Sequence, residues 1–256
     1  YKRQTPITAI MTPAGVKLDP DQKAQDAALA FERYDLVSAP VVDNSGELIG
    51  RVTVNAVVDF IREESDNEQL SAGGLREEED LFASVWSSVK NRWTWLAINL
   101  VTAFIASRVI GIFEGSIEKI VALAALMPIV AGIGGNSGNQ TITMIVRALA
   151  LKQITASSAR KLFAKEIGVS VINGLIWGGV VGLFAFFIYH KWQLGLVMTG
   201  AMVLNLLLAA LAGVAVPLSM QKLGRDPAVG SSVMITAITD SGGFFIFLGL
   251  ATIFLL

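Results

Sequence analysis

The chain has 256 residues, 53% of them in the apolar set AVILMFWYC and 16% charged, with 24 glycines and no cysteine. Ordinary soluble domains are about 45–50% apolar and about 25% charged, so a single soluble globule is excluded, and the lack of cysteine excludes disulfide scaffolds, thiolate metal sites and thiol nucleophiles. The net charge of −1 hides two opposite halves: residues 1–92 hold 10 Lys/Arg against 16 Asp/Glu, and residues 93–256 hold 10 against 5.

An acidic polar half repels phosphates, so a nucleic-acid partner is not expected. The composition reads instead as an acidic soluble module joined to a membrane domain. The sequence opens at Tyr1 without Met and without a charged-then-apolar leader, so further protein is expected ahead of it.

In chain order, Asp26–Arg33 is amphipathic and predicts a helix with Ala27, Ala30 and Phe31 on one face. Val41-Val42, the turn residues Asp43-Asn44-Ser45-Gly46 and the run Leu48–Val54 predict a β-hairpin. Val54–Glu64 predicts a second helix with Val57, Val58 and Ile61 on its apolar side. About 60 residues is small for an independent domain, so this module is expected to pair with a copy of itself.

Between Asp59 and Asp80 nine acids face only Arg62 and Arg76. Such a run is either a solvated linker or a divalent-cation sensor, in which crowded carboxylates repel until a cation bridges them. Asp59, Glu63, Glu64 and Asp66 are the sensor candidates. Glu77–Arg92 reads as an amphipathic connecting helix, with Leu81, Phe82, Val85, Trp86 and Val89 apolar, leading to the membrane.

A helix needs roughly 20 apolar residues to cross a bilayer. Five such stretches are expected, at 93–113, about 119–150, about 167–189, about 195–220 and about 229–256. The second holds Pro128 and the run Gly132–Gln140, which should break or kink it. Basic residues collect before the first stretch (Lys90, Arg92), between the second and third (Arg147, Lys152, Arg160, Lys161, Lys165) and between the fourth and fifth (Lys222, Arg225). The other side, with Glu114, Glu118, Lys119, His190 and Lys191, is nearly balanced. By the positive-inside rule the acidic module is then cytoplasmic and Leu256 lies outside.

Among polar residues in these stretches, Arg108 is expected to snorkel near an end. Asn99, Asn173 and Asn205 are expected to hydrogen-bond between helices, and Gly174, Gly178 and Gly182 to form a close-packing stripe. The lone His190 is expected to be solvated. Asp240, in Thr236-Ala237-Ile238-Thr239-Asp240-Ser241-Gly242-Gly243, lies well away from an end. A carboxylate there must face a cavity, an ion path or a base such as Arg147. A broken second helix would free backbone carbonyls beside the oxygens of Asn136, Asn139 and Gln140. Carboxylate, amide and carbonyl oxygens without sulfur or imidazole suit Mg²⁺ or Ca²⁺, and Mg²⁺ would keep much of its water.

Gly134-Gly135-Asn136-Ser137-Gly138-Asn139-Gln140, followed by Ile145-Val146-Arg147-Ala148-Leu149-Ala150, resembles the signature of the MgtE family of bacterial magnesium channels. Asp226-Pro227-Ala228 and Thr239-Asp240-Ser241-Gly242 resemble its fourth loop and fifth helix, and residues 7–64 resemble a CBS domain. The resemblance implies a mostly α polytopic membrane protein: a small α/β CBS domain over 1–64, the second of a tandem pair; an acidic linker and connecting helix over 65–92; and a five-helix ion-pore domain over 93–256. It implies a homodimer in the inner membrane, with a Mg²⁺ path where second and fifth helices meet across the two-fold axis. Asp240 would hold hydrated Mg²⁺, helped by Thr236, Asn136, Asn139 and the backbone at Gly135, and Mg²⁺ at the acidic cytoplasmic surface would close the path.

Two departures stand out. Thr53-Val54-Asn55-Ala56 lacks the Asp that CBS domains use on a ribose, which puts ATP binding in doubt, and Ser232 stands where Asn is expected near the inner end of the path. The competing readings are a secondary transporter exchanging a divalent cation for Na⁺ or H⁺ with Asp240 titrating, and a membrane sensor that moves no ion. With no Walker A loop and no Asp-Lys-Thr-Gly motif in the sequence, an enzyme or ATP-driven pump is not expected.

Overall fold

The computed structural model describes residues 4–9, 15–75, 82–150, 154, 156–228 and 230–256. The acids Glu77, Glu78, Glu79 and Asp80 and the first part of the expected connecting helix lie outside the described residues. The chain divides into two compact units, Tyr1–Gln69 and Leu70–Leu256.

In the first unit, α1 (Ala24–Tyr34) precedes β1 (Ser38–Val42), β2 (Leu48–Thr53) and α2 (Val54–Ala72). The strands pair antiparallel with Val41 opposite Gly50 and Ser38 opposite Thr53. The hairpin closes because Asp43 Oδ1 accepts from Ser45 N (2.9 Å), Ser45 Oγ (2.7 Å) and Glu47 N (2.8 Å). Gly46 supplies the left-handed φ of 83° that the turn needs. The Ser45 hydroxyl and then the Glu47 amide hold the Asp43 carboxyl below the ordinary 3.8. Leu18, Phe31, Ala39 and Val57 form the core, with Ala27, Leu36, Val41 and Val52 packed on it. Leu48, Ile49, Val58 and Ile61 remain exposed, an apolar surface that a core this small cannot cover.

The second unit is helical: α3 (Val85–Ile112), α4 (Glu114–Lys119), α5 (Ala122–Ala150), α6 (Ala156–Tyr189), α7 (Trp192–Lys222) and α8 (Ser231–Leu255). Ser84 caps α3 by accepting from Ser87 N. Residues 85–92, expected as the end of a connecting helix, are instead the opening turns of α3, since no residue between Val85 and Ile112 interrupts it. The third expected stretch also starts early, and Glu166 falls inside α6.

Four helices, α3, α6 from Arg160, α7 and α8, are long and apolar enough to cross a membrane. Five were expected. The remaining one, α5, has 29 residues, but its central Gly, Asn, Ser and Gln leave it without an uninterrupted apolar stretch like those of the four.

Hydrophobicity all round marks α7 as central, and it packs on α5, α6 and α8 while α3 packs on α8. Met198, Met202, Leu206 and Val214 of α7 are buried. One core cluster joins Leu123, Leu126 and Val130 of α5 to Ala185, Leu194, Met198, Phe247 and Leu248. A second, at the other end, joins Ile145, Leu149 and Val214 to Leu162, Phe163 and Leu218. Start of α5 with end of α6, start of α7 and end of α8 means an up-down order, so helices successive in sequence run antiparallel while α5 and α7 run parallel.

The glycine stripe does pack closely. A Cβ at Gly174 would lie 2.7 Å from Val203 Cα, and one at Gly182 would lie 2.5 Å from the Gly195 carbonyl oxygen. Thr199 Oγ1 donates across this seam to the Gly178 carbonyl (3.0 Å).

Candidate functional site

The expected break in the second stretch is absent. Helix α5 runs unbroken from Ala122 to Ala150 through Pro128 and the whole Gly132–Gln140 run. Neighbouring helices stabilise a glycine-rich turn that would fray alone, and the glycines serve close approach instead. Gly138 faces Ile235 of α8, and Gly134 faces the Asn205 amide of α7. A Cβ at Gly135 would rest 3.6 Å from Thr239 Oγ1. The backbone around Gly135–Asn139 is thus part of the helical ladder rather than a set of freed carbonyls.

Gly138 against Ile235 and Gly135 against Thr239 fix an antiparallel register between α5 and α8. In that register Asp240 stands level with Gly134–Asn136, and Thr236 about one turn further along, level with Gly138. Asn136, Gln140, Thr143 and Thr236 are exposed, Asn139 is partly buried and Asp240 half-buried. This is a polar face that no described helix of the second unit covers. Thr236 Oγ1 donates to the Ser232 carbonyl (2.9 Å), leaving its oxygen lone pairs outward. Thr143 Oγ1 donates to the Asn139 carbonyl (2.9 Å).

Among the described residues no Lys or Arg pairs with Asp240, whereas Glu166 has Lys165 Nζ at 3.8 Å. The candidate bases Arg147 and Arg108 are exposed near helix ends. Thr239, next to Asp240, is buried and donates to the Ile235 carbonyl (2.9 Å). The oxygen donors gathered at this level are therefore the Asp240 carboxylate, the Asn136 and Gln140 amides and the Thr236 hydroxyl. Among the described residues no three acids or histidines converge as metal ligands. One carboxylate with neutral oxygens suits a cation that keeps its water better than a bare one.

The acidic candidates of the first unit lie along α2. Asp59, Glu63 and Asp66 are exposed on α2, and partly buried Glu64 accepts from Gln25 Nε2 (2.9 Å). Spacings of four and three residues put Asp59, Glu63 and Asp66 on one helical face, but no preformed cage links them.

Of the amides, Asn205 behaves as expected between helices: fully buried, it donates Nδ2 to the Val130 carbonyl of α5 (2.8 Å), while its Oδ1 has no partner. Asn99 donates within its own helix to the Trp95 carbonyl (3.0 Å), and Asn173 is exposed. His190 is exposed, in the left-handed conformation that turns α6 into α7.

One contact of Asn205 and one residue, Glu166, escaped the sequence reading. Asn205 wedges between Gly134 and Gly243, where a Cβ at Gly243 would lie 2.7 Å from its Nδ2. Glu166 is 4% exposed and accepts from Thr141 Oγ1 of α5 (3.1 Å). Its signal was its place four residues before Ser170 and eight before Gly174, at the head of the glycine stripe.

Residues 127–250 match the MgtE family, described as a divalent cation transporter, and residues 7–63 match the CBS domain. The CBS match thus precedes the MgtE match along the chain. The MgtE match begins in α5 and ends in α8, so it contains every member of the polar face described above, while α3 and α4 lie ahead of it. The CBS match covers Asp59 and Glu63 but stops before Glu64 and Asp66. The chain is 32% identical over 98% of its length to the magnesium transporter MgtE of Thermus thermophilus, covering 56% of that protein. It is 29% identical over 94% to the magnesium transporter MgtE of Bacillus subtilis, covering 53%. A third relative, the magnesium transporter MgtE of Enterococcus faecalis, is 29% identical over 98% of this chain, with 55% covered. The chain therefore spans about half the length of the curated relatives it matches.

Proposed function

We propose that this protein is a homodimeric Mg²⁺ channel of the inner membrane, passing hydrated Mg²⁺ along a path where α5 and α8 of two protomers meet. The observation that carries the reading is Asp240: a half-buried carboxylate without a basic partner among the described residues, level with the exposed amides of α5. Facing lipid, such a stripe costs several kcal/mol. Facing a second copy across a wet seam, it lines an ion path, as rings of Asp do in cation channels. Three relatives named as magnesium transporters agree with the ion.

Helix α5 is then the fifth crossing, its polar side turned to water rather than lipid. The exposed bases Arg160, Lys161, Lys165, Lys222 and Arg225 lie at one end of the up-down bundle, which supports a cytoplasmic placement of that end and of the CBS domain, with Leu256 outside. Gly135 lies beside this path, against Thr239 of α8. Asn136, Asn139 and Thr236 act through the water shell of the ion.

Channel and exchanger are separated by unitary currents. Bilayers holding the full-length protein should show stepwise Mg²⁺ currents that survive dissipation of Na⁺ and H⁺ gradients. Saturable uptake that collapses with either gradient supports the exchanger.

Regulation rests on the acids of α2. Asp59, Glu63, Glu64 and Asp66 meet a facing surface, and Mg²⁺ joins the two when cytoplasmic Mg²⁺ is high, closing the path. The exposed Val58 and Ile61 on the same helix supply an apolar seat for a second CBS repeat. Nothing in Thr53–Ala56 favours ATP as the ligand there. Changing the four acids to amides should raise the Mg²⁺ concentration needed for closure about tenfold, measured as liposome flux against internal Mg²⁺. An unchanged closing concentration removes them from the sensor.

A further inference from the structure

The buried stripe of α6 runs Glu166, Ser170, Gly174, Gly178, Gly182 and Ala185, one residue per turn. Its glycines seat α6 against α7 so closely that backbone meets backbone at Gly182 and Gly195. The two helices therefore make one rigid piece. Helix α5, which carries Asn136, Asn139 and Gln140, packs on α7 and α8. Glu166 reaches from the α6 stripe to α5, accepting from Thr141 Oγ1 at 3.1 Å.

Surroundings give that bond its weight. Glu166 is 4% exposed, and the ammonium nearest it, Lys165 Nζ, stands 3.8 Å from its other oxygen on a side chain that is 63% exposed. Toward the basic helix ends, Leu162 and Phe163 of α6 pack with Ile145 and Leu149 of α5. A carboxylate so placed is a poor device for stability alone, because an apolar side chain of similar size packs there without a desolvation penalty. What an apolar side chain cannot do is fix the rotation of α5. Thr141 sits between Gln140, which faces the polar path, and Ile142, which faces the core. A Cβ at Gly213 of α7 would lie 2.9 Å from Thr141 Cβ, so α7 holds the same residue from a second side. Turning α5 by one residue, about 100°, breaks the Glu166 bond and swings Gln140 and Asn136 off the path together.

We infer that Glu166 is a positioning residue for permeation: through Thr141 it holds the polar face of α5 toward the ion path. This inference rests on the α5–α8 path proposed above. Glu166 touches no ion and acts by orienting another helix.

The 256 residues contain no cysteine, so single cysteines at Asn136, Gln140, Thr143 and Met144, in the full-length protein made free of other cysteines, report which face of α5 meets water. In liposomes, Glu166→Ala and Thr141→Val should each lower Mg²⁺ flux about tenfold and shift the positions labelled by a membrane-impermeant thiol reagent around the helix. Glu166→Gln keeps an acceptor for Thr141 and should retain at least half of the flux with the labelling pattern unchanged. Glu166→Ala combined with Thr141→Val should lose no more than the worse single variant, because both remove one bond. Should Glu166→Ala not fold, the near-isosteric Thr141→Val carries the test alone. Normal flux and labelling in Thr141→Val overturn the inference, and so does a Glu166→Gln protein as impaired as Glu166→Ala. Asp240→Asn measured alongside keeps the two readings apart: flux retained there overturns the path, whereas flux lost there but intact in Thr141→Val overturns only the role of Glu166.

Discussion

Liposomes carrying Asp240→Ala or Asp240→Asn should take up Mg²⁺ no faster than protein-free lipid, while the protein still elutes as a folded dimer. The magnitude follows from electrostatics. A unit charge about 5 Å from a carboxylate gains about 3 kcal/mol at an effective dielectric constant of 20, and a divalent ion gains about twice that. With two copies facing across a dimer axis, removing both carboxylates costs the permeating ion several kcal/mol. Each 1.4 kcal/mol is tenfold in rate or occupancy, so a loss of at least a hundredfold is expected. The fold should tolerate the change, because Asp240 has no ionic partner among the described residues to be left stranded. Flux above a tenth of wild type in Asp240→Ala places the ion path elsewhere.

Gly182→Ala should be among the most destabilising single substitutions in the helical unit. Its Cβ would lie 2.5 Å from the Gly195 carbonyl oxygen and also meet Thr199 Oγ1. Backbone cannot rotate away as a side-chain tip does, so α6 must lift from α7. Overpacking of this kind costs about 1–3 kcal/mol, against roughly 0.8–1 kcal/mol that Ala gains over Gly from helix propensity, and a clash with the Gly195 backbone puts this site at the upper end. Gly179 is the control, being on the same helix with nothing within 4 Å of its would-be Cβ. Gly179→Ala should be neutral or slightly stabilising. Tryptophan fluorescence during heating in detergent ranks the two, and equal melting of both variants would mean that α6 and α7 are not packed through this seam.

How much of the site could be read from residues alone depends on which contacts are local. The hairpin turn was legible because Asp43, Ser45 and Gly46 make their bonds within four residues of each other. Asp240 was legible because one carboxylate inside an apolar stretch is conspicuous at any register. The close-packing role of Gly174, Gly178 and Gly182 was legible from spacing alone. The Gly132–Gln140 run reads as a break or kink but α5 continues through it, because glycine lowers the stability of an isolated helix but lets neighbouring helices come close enough to restore it. Glu166 was passed over because it stands at the edge of a predicted stretch beside Lys165, where a charge is unremarkable. Asn205 read as an ordinary interhelical amide, and its place between Gly134 and Gly243 depends on residues 71 and 38 positions away.

The amino-acid order by itself determined that an acidic module precedes an apolar helical half, that the basic connections share one side, and that one acid lies deep in the last helix. These follow from composition and period, which need no partner. Only the tertiary structure decided that α5 is unbroken, that Gly138 and Gly135 set its register against α8, and that Glu166 is sealed inside the bundle with Thr141. The physical reason is the range of the contacts. Burial and hydrogen bonding between helices are set by which faces meet, and several registers satisfy the same apolar pattern until side chains of particular volume, or their absence at glycine, select one.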